Sequence, residues 1–120
     1  MANRRLSPDE LTQLFEPLLG RTRDVLRERS HGDEALLWAL RRKLWKELSY
    51  DERGKPAHRK KLKSRKWREQ DGKCTLCDNL VAERYSELDR VDAMKGYTPE
   101  NTRLLCHQCH IDDQRQKKYT

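Results

Sequence analysis

The sequence is poor in apolar residues. Only 34% of its 120 positions are hydrophobic and 7% aromatic, with a single phenylalanine, whereas 39% are charged; mean hydropathy is −1.18. A chain this short and polar has little to bury. That argues against folds built on a large apolar sheet, such as a nucleotide-binding α/β domain, and predicts a staple, either metal or disulfide. Long hydrophobic runs are missing too. Leu36 to Leu40 is among the longest, far below the roughly 20 residues of a membrane-spanning helix. No apolar stretch of signal-peptide length follows Met1-Ala2-Asn3-Arg4-Arg5, so the expectation is a cytoplasmic protein without a membrane partner. No internal repeat and no low-complexity tract appear beyond one basic run.

That run holds the whole charge imbalance. Residues 1–53 carry 11 Lys/Arg against 10 Asp/Glu, and residues 74–120 carry 7 against 8. Residues 54–73 carry 9 against 2, which matches the net +7 of the chain. Lys55, Arg59, Lys60, Lys61, Lys63, Arg65, Lys66 and Arg68 form the stripe. A localised positive stripe is the electrostatic footprint of a phosphate-backbone binder. The plainer reading is a solvated helix face or basic linker.

The hydrophobic spacing divides the chain into a helical region at 1–53, a basic helix or linker at 54–73 and a last module at 74–120. Ser7-Pro8-Asp9-Glu10 has the pattern of a capping box with proline in the first turn. Leu11, Leu14, Phe15, Leu18 and Leu19 then recur at helical intervals. Pro17 predicts a kink or break near Glu16, and Gly20 a stop. A second helical stretch over Arg23–Arg29 ends at the turn His31-Gly32. From Asp33, Leu37, Leu40, Leu44 and Leu48 make one stripe with Trp38 and Trp45 beside it, which reads as a helical hairpin with those aromatics in its core. Within the basic segment only Leu62 and Trp67 are large and apolar, so an exposed helix is expected whose Trp67 end docks on the next module.

All four cysteines fall in two pairs, Cys74-Thr75-Leu76-Cys77 and Cys106-His107-Gln108-Cys109, with 28 residues between them. One tight turn presents both sulfurs of a pair to one ion, and two such turns complete a tetrahedron around zinc. Disulfides are disfavoured without an exporting signal. A redox site needs one such motif in a βαβ context, and an iron–sulfur cluster takes the same four ligands. Zinc is the reading adopted, because structural zinc contributes ~10–16 kcal/mol of apparent folding energy to small domains. Four thiolates leave no open position for catalysis there. His107 then reads as an exposed side chain rather than a ligand.

Taken together, Asp71-Gly72-Lys73-Cys74, Glu87-Leu88-Asp89-Arg90-Val91-Asp92, Gly96-Tyr97-Thr98-Pro99-Glu100-Asn101 and Leu104-Leu105-Cys106 through His110 resemble the zinc-containing HNH endonuclease family over roughly residues 65–118. The resemblance implies an α+β protein: an N-terminal helical hairpin and basic helix followed by a small zinc-bound ββα, treble-clef-like module. It implies hydrolysis of DNA phosphodiester bonds, with RNA as the other possible nucleic-acid partner. On that resemblance Asp89 and His110 hold a catalytic Mg²⁺ or Mn²⁺, and Asn101 braces the hairpin. Cys74, Cys77, Cys106 and Cys109 hold structural Zn²⁺.

One position departs from that family. Its general-base histidine is Arg90 here, and a guanidinium has no lone pair to accept a proton. Arg90 can instead bind the scissile phosphate. Asp92 would share its side of a strand and is one substitute base; His107 is another, and unaided metal-bound hydroxide a third. A basic residue often found three positions after the last histidine is Asp113 here. The expected function is therefore a metal-dependent endonuclease, with a non-catalytic zinc module that binds nucleic acid as the alternative.

Overall fold

The computed structural model describes residues 3–118 and divides them into two compact units. One comprises Arg4–Ser49, and the other runs from Tyr50 onward and takes in Asn3. The outermost two residues of the expected regions at either end of the chain lie outside the described residues.

In the first unit the capping box forms. The Glu10 backbone N–H donates to Ser7 Oγ at 3.1 Å, and the Ser7 N–H to Glu10 Oε1 at 2.9 Å. Helix α1 (Pro8–Glu10) passes without a break into a π-helical turn (Leu11–Phe15) and then α2 (Glu16–Ser30). Pro17 explains the wide turn. It lacks an N–H and its ring crowds the carbonyl four residues earlier, so the chain widens there instead of stopping. The stop expected at Gly20 does not occur, because its φ is not left-handed and the helix runs through it. The end comes at His31, in the left-handed region at φ 51°, followed by Gly32 at φ 79°.

Helix α3 (Glu34–Arg53) opens with the Leu36 N–H donating to Asp33 Oδ1 at 3.1 Å. Trp38 and Trp45 were expected in the core, yet they are 60% and 70% exposed. Two helices are too few to cover an apolar stripe, and Leu44 and Leu48 are themselves 37% and 58% exposed. The Arg42 guanidinium lies 5.2 Å from the Trp38 ring centroid.

The second unit is α+β. Helix α4 (Pro56–Glu69) buries Leu62 and ends on Trp67, whose Nε1–H donates to the Val81 carbonyl at 2.8 Å. Strands β1 (Glu87–Arg90) and β2 (Thr102–Leu105) pair antiparallel, with Asp89 opposite Arg103 and Leu88 opposite Leu104. Helix α5 (His107–Lys117) follows directly. The buried apolar side chains of this unit are few: Leu62, Cys74, Ala93, Leu104 and Leu105. Ser86, Asp89, Arg90, Thr102 and Lys117 are buried beside them. So polar a core is poor in hydrophobic stabilisation and depends on satisfied pairs and on the cysteine cluster. No helix among the described residues is long and apolar enough to cross a membrane.

Candidate functional site

Two turns deliver the cysteines. In the first, the Asp78 N–H donates to the Cys74 carbonyl at 3.0 Å, and left-handed Asp78 (φ 60°) closes the loop. In the second, Cys106 caps α5 and its sulfur accepts from the Cys109 N–H at 3.5 Å. Leu104 joins the two turns. The Thr75 N–H donates to its carbonyl at 3.1 Å, and Gln70 bonds both its N–H and its carbonyl, at 2.8 and 3.1 Å. The sulfurs of Cys74, Cys77, Cys106 and Cys109 all lie within 4.8 Å of one another, close enough to hold one metal ion.

The thiols influence one another strongly. Burial opposes ionisation of Cys74, but hydrogen bonds from the Cys106, Cys77 and Leu76 backbone outweigh it and bring the thiol down to about 6. Hydrogen bonding with Cys106, and then burial, pushes Cys109 up to about 12.

A charged network surrounds Asp89. Asp89 is 2% exposed. Its Oδ1 lies 3.2 Å from His110 Nδ1, and its Oδ2 accepts from Arg103 Nε at 3.2 Å and Lys117 Nζ at 3.4 Å. Lys117, itself 2% exposed, also pairs with Asp113 at 2.6 Å and donates to the Arg90 carbonyl. Arg103 Nη2 donates to Asp113 Oδ1 at 3.0 Å. Burial works against the charge on Asp113, yet Lys117 holds its carboxyl below the usual range. His110 Nε2 is 2.9 Å from the Gln114 amide nitrogen.

Asp89 and His110 open onto a cleft of about 370 Å³, also lined by Glu52, Arg53, Arg90, Tyr97 and Gln114. Arg90 is buried, 3.4 Å from Glu52 Oε1 through Nη2 and 4.8 Å from the Tyr97 ring centroid. Its Nη1 is buried without a hydrogen-bond partner. An unpaired buried donor is costly and rare.

Asn101 accepts from the Asp92 N–H at 3.0 Å and donates to the Asp92 and Gly96 carbonyls, at 3.0 and 2.9 Å. It thereby ties together the loop between the strands. Asp92 does not share a strand with Arg90. The strand ends at Arg90, and Asp92 turns to accept from the Met94 N–H at 3.0 Å. It does not line the cleft, and Glu52 does. His107 is exposed and sits 3.3 Å from Glu87.

The basic stripe does not act as one face. Arg59, Lys60 and Lys63 line a second cleft of about 340 Å³ with Arg53 and Tyr97, both shared with the first. Arg65 and Lys66 pair with Glu69 at 2.8 and 3.8 Å. Lys55 sits at the N-cap of α4. Lys61, Arg65 and Arg68 are exposed, at i, i+4 and i+7 on another side of the helix. A helix turns 100° per residue, so eight basic positions over 14 residues must spread around it.

Glu52, Arg53, Gln114 and Lys117 carry no local motif and escape a reading of spacing alone. No protein-family model, curated protein or solved structure matches the chain.

Proposed function

We propose that the protein is a metal-dependent endonuclease that hydrolyses phosphodiester bonds in DNA, built on a structural zinc. One observation carries this reading: a buried carboxylate and an imidazole 3.2 Å apart open onto a cleft that a buried arginine with an unpartnered Nη1 also lines.

The donor chemistry supports both metals. Tetrahedral zinc with ~2.3 Å bonds sets its sulfurs about 3.8 Å apart, and Cys77 Sγ lies 3.9 Å from Cys106 Sγ. Adjacent ligands of a six-coordinate ion with bonds of about 2.1 Å stand about 3.0 Å apart, close to the separation of Asp89 Oδ1 and His110 Nδ1. A half-turn of the Gln114 amide lets its oxygen accept from His110 Nε2–H, which frees Nδ1 to be a ligand. A divalent ion held there supplies positive charge beside the phosphoryl group.

The chain's own residues have separate tasks in this reading. The Arg90 guanidinium, which lines the cleft, donates to a phosphate oxygen and stabilises the charge that develops on it. Arg103 and Lys117 hold the Asp89 carboxylate in place. Glu52 takes the place of the absent histidine as proton acceptor for the attacking water. Arg53, Arg59, Lys60 and Lys63 hold the flanking phosphates.

Nicking of supercoiled plasmid in Mg²⁺ or Mn²⁺ tests the proposal. Activity is expected, and it is lost in His110→Ala with zinc content unchanged. A second reading, a non-catalytic module that binds nucleic acid, is favoured by the two cations already on Asp89 Oδ2. It predicts salt-sensitive DNA binding without cleavage in any metal.

A further inference from the structure

The first unit leaves apolar surface uncovered. Between α2 and α3 lies a groove of about 470 Å³ whose apolar lining is Leu19, Leu26, Leu37, Leu44, Trp45 and Leu48. On the other side of the same seam, Val25 and Leu40 join Leu26 and Leu44 in a cavity of about 590 Å³. Leu44 and Leu48 are 37% and 58% exposed. Neither α2 nor α3 buries a single large apolar side chain, so the seam is not closed by the hairpin itself.

The rim is cationic. Arg23, Arg27 and Arg41 border the groove, and Arg21 and Arg29 border the cavity behind it. None of these five forms an ion pair with a described residue. The acid lining this seam is Glu47, which pairs with Lys43 at 2.7 Å.

We propose that this groove docks an acidic amphipathic helix from a partner protein. An apolar floor takes leucine-type anchors at i, i+3/i+4 and i+7, and the arginine rim takes carboxylates on either side of them. The groove is lined from Leu37 to Leu48 along α3, about 16 Å, room for some three turns of such a helix. A second copy is a poorer occupant. Under a two-fold axis the same patch meets itself, which turns guanidinium rim toward guanidinium rim. Nucleic acid matches the arginines but not a floor of leucines, because it is bound by charge and base stacking.

The test uses the full chain and two labelled 20-residue helical peptides. Both carry leucines at the anchor spacing; one has glutamates on its flanks and the other lysines. Fluorescence polarisation should show the glutamate peptide binding at least about tenfold more tightly, with affinity that falls as salt rises. The triple variant Arg23→Glu/Arg27→Glu/Arg41→Glu alters only exposed positions and should reverse the preference while plasmid nicking stays unchanged. Equal affinity for both peptides overturns the proposal. So does a wild-type dimer that excludes the glutamate peptide, which assigns the groove to a second copy. Loss of DNA affinity in the triple variant without peptide discrimination assigns it to nucleic acid. Capture by phosphatidylserine vesicles in preference to the peptide assigns it to a membrane surface.

Discussion

Lys117→Met removes the cation at the centre of the buried network while nearly keeping its volume. Lys117 touches Asp113 at 2.6 Å and Asp89 at 3.4 Å, with a side chain 3% exposed, so water has little room to replace it. Loss of one partner from a buried pair leaves uncompensated charge and costs about 3–5 kcal/mol. Arg103 remains within reach of both carboxylates, which places the expected loss at the lower end, about 3 kcal/mol. Against the roughly 5–15 kcal/mol of a typical domain, that shifts a urea midpoint clearly. Removal of Asp113 as well, in Lys117→Met/Asp113→Leu, should restore at least half of the loss, because an apolar replacement of a whole buried pair is nearly neutral. A single variant that loses less than about 1 kcal/mol, or a double variant as unstable as the sum of its parts, would refute the reasoning.

Three other outcomes are expected. Glu52→Gln should reduce plasmid nicking by about 10²–10⁴-fold with DNA affinity unchanged; unchanged nicking removes Glu52 from the reaction. Gly72→Ala should destabilise the second unit by about 1–3 kcal/mol in urea melts, because Gly72 has φ 71° and an added Cβ would sit 3.2 Å from the Trp67 ring. Gly20→Ala should do the opposite for the first unit, adding about 0.5–1 kcal/mol, since its Cβ would meet open space in a helical backbone.

What could be read before folding was what is local. The two Cys-x-x-Cys turns, the Ser7 capping box and the docking of Trp67 each follow from a few neighbouring residues. What stayed hidden depends on register. Arg103 reaches Asp89 because the two are cross-strand partners, and Lys117 reaches both acids from the last turn of α5. Neither pairing leaves a mark in spacing. Glu52 lines the cleft from the end of α3, 37 positions before Asp89, too far along the chain for spacing around Arg90 to indicate. Two-residue periodicity places Asp92 on the side of Arg90 only while the strand continues, and β1 ends at Arg90, after which Asn101 ties the loop to Asp92. Helical spacing likewise gave the leucine stripe of α3, but it did not show that two helices are too few to cover Trp38 and Trp45.

The proposed function needs two metal centres, a structural one among the four cysteines and a catalytic one at Asp89 and His110. Anomalous diffraction from zinc-loaded crystals grown with a DNA duplex and soaked in Mn²⁺ tests it most directly. Zinc is expected among the four cysteine sulfurs and manganese between Asp89 Oδ1 and His110 Nδ1, with a phosphate oxygen on the Arg90 guanidinium. Zinc alone, with DNA bound and no manganese at that pair, would contradict it.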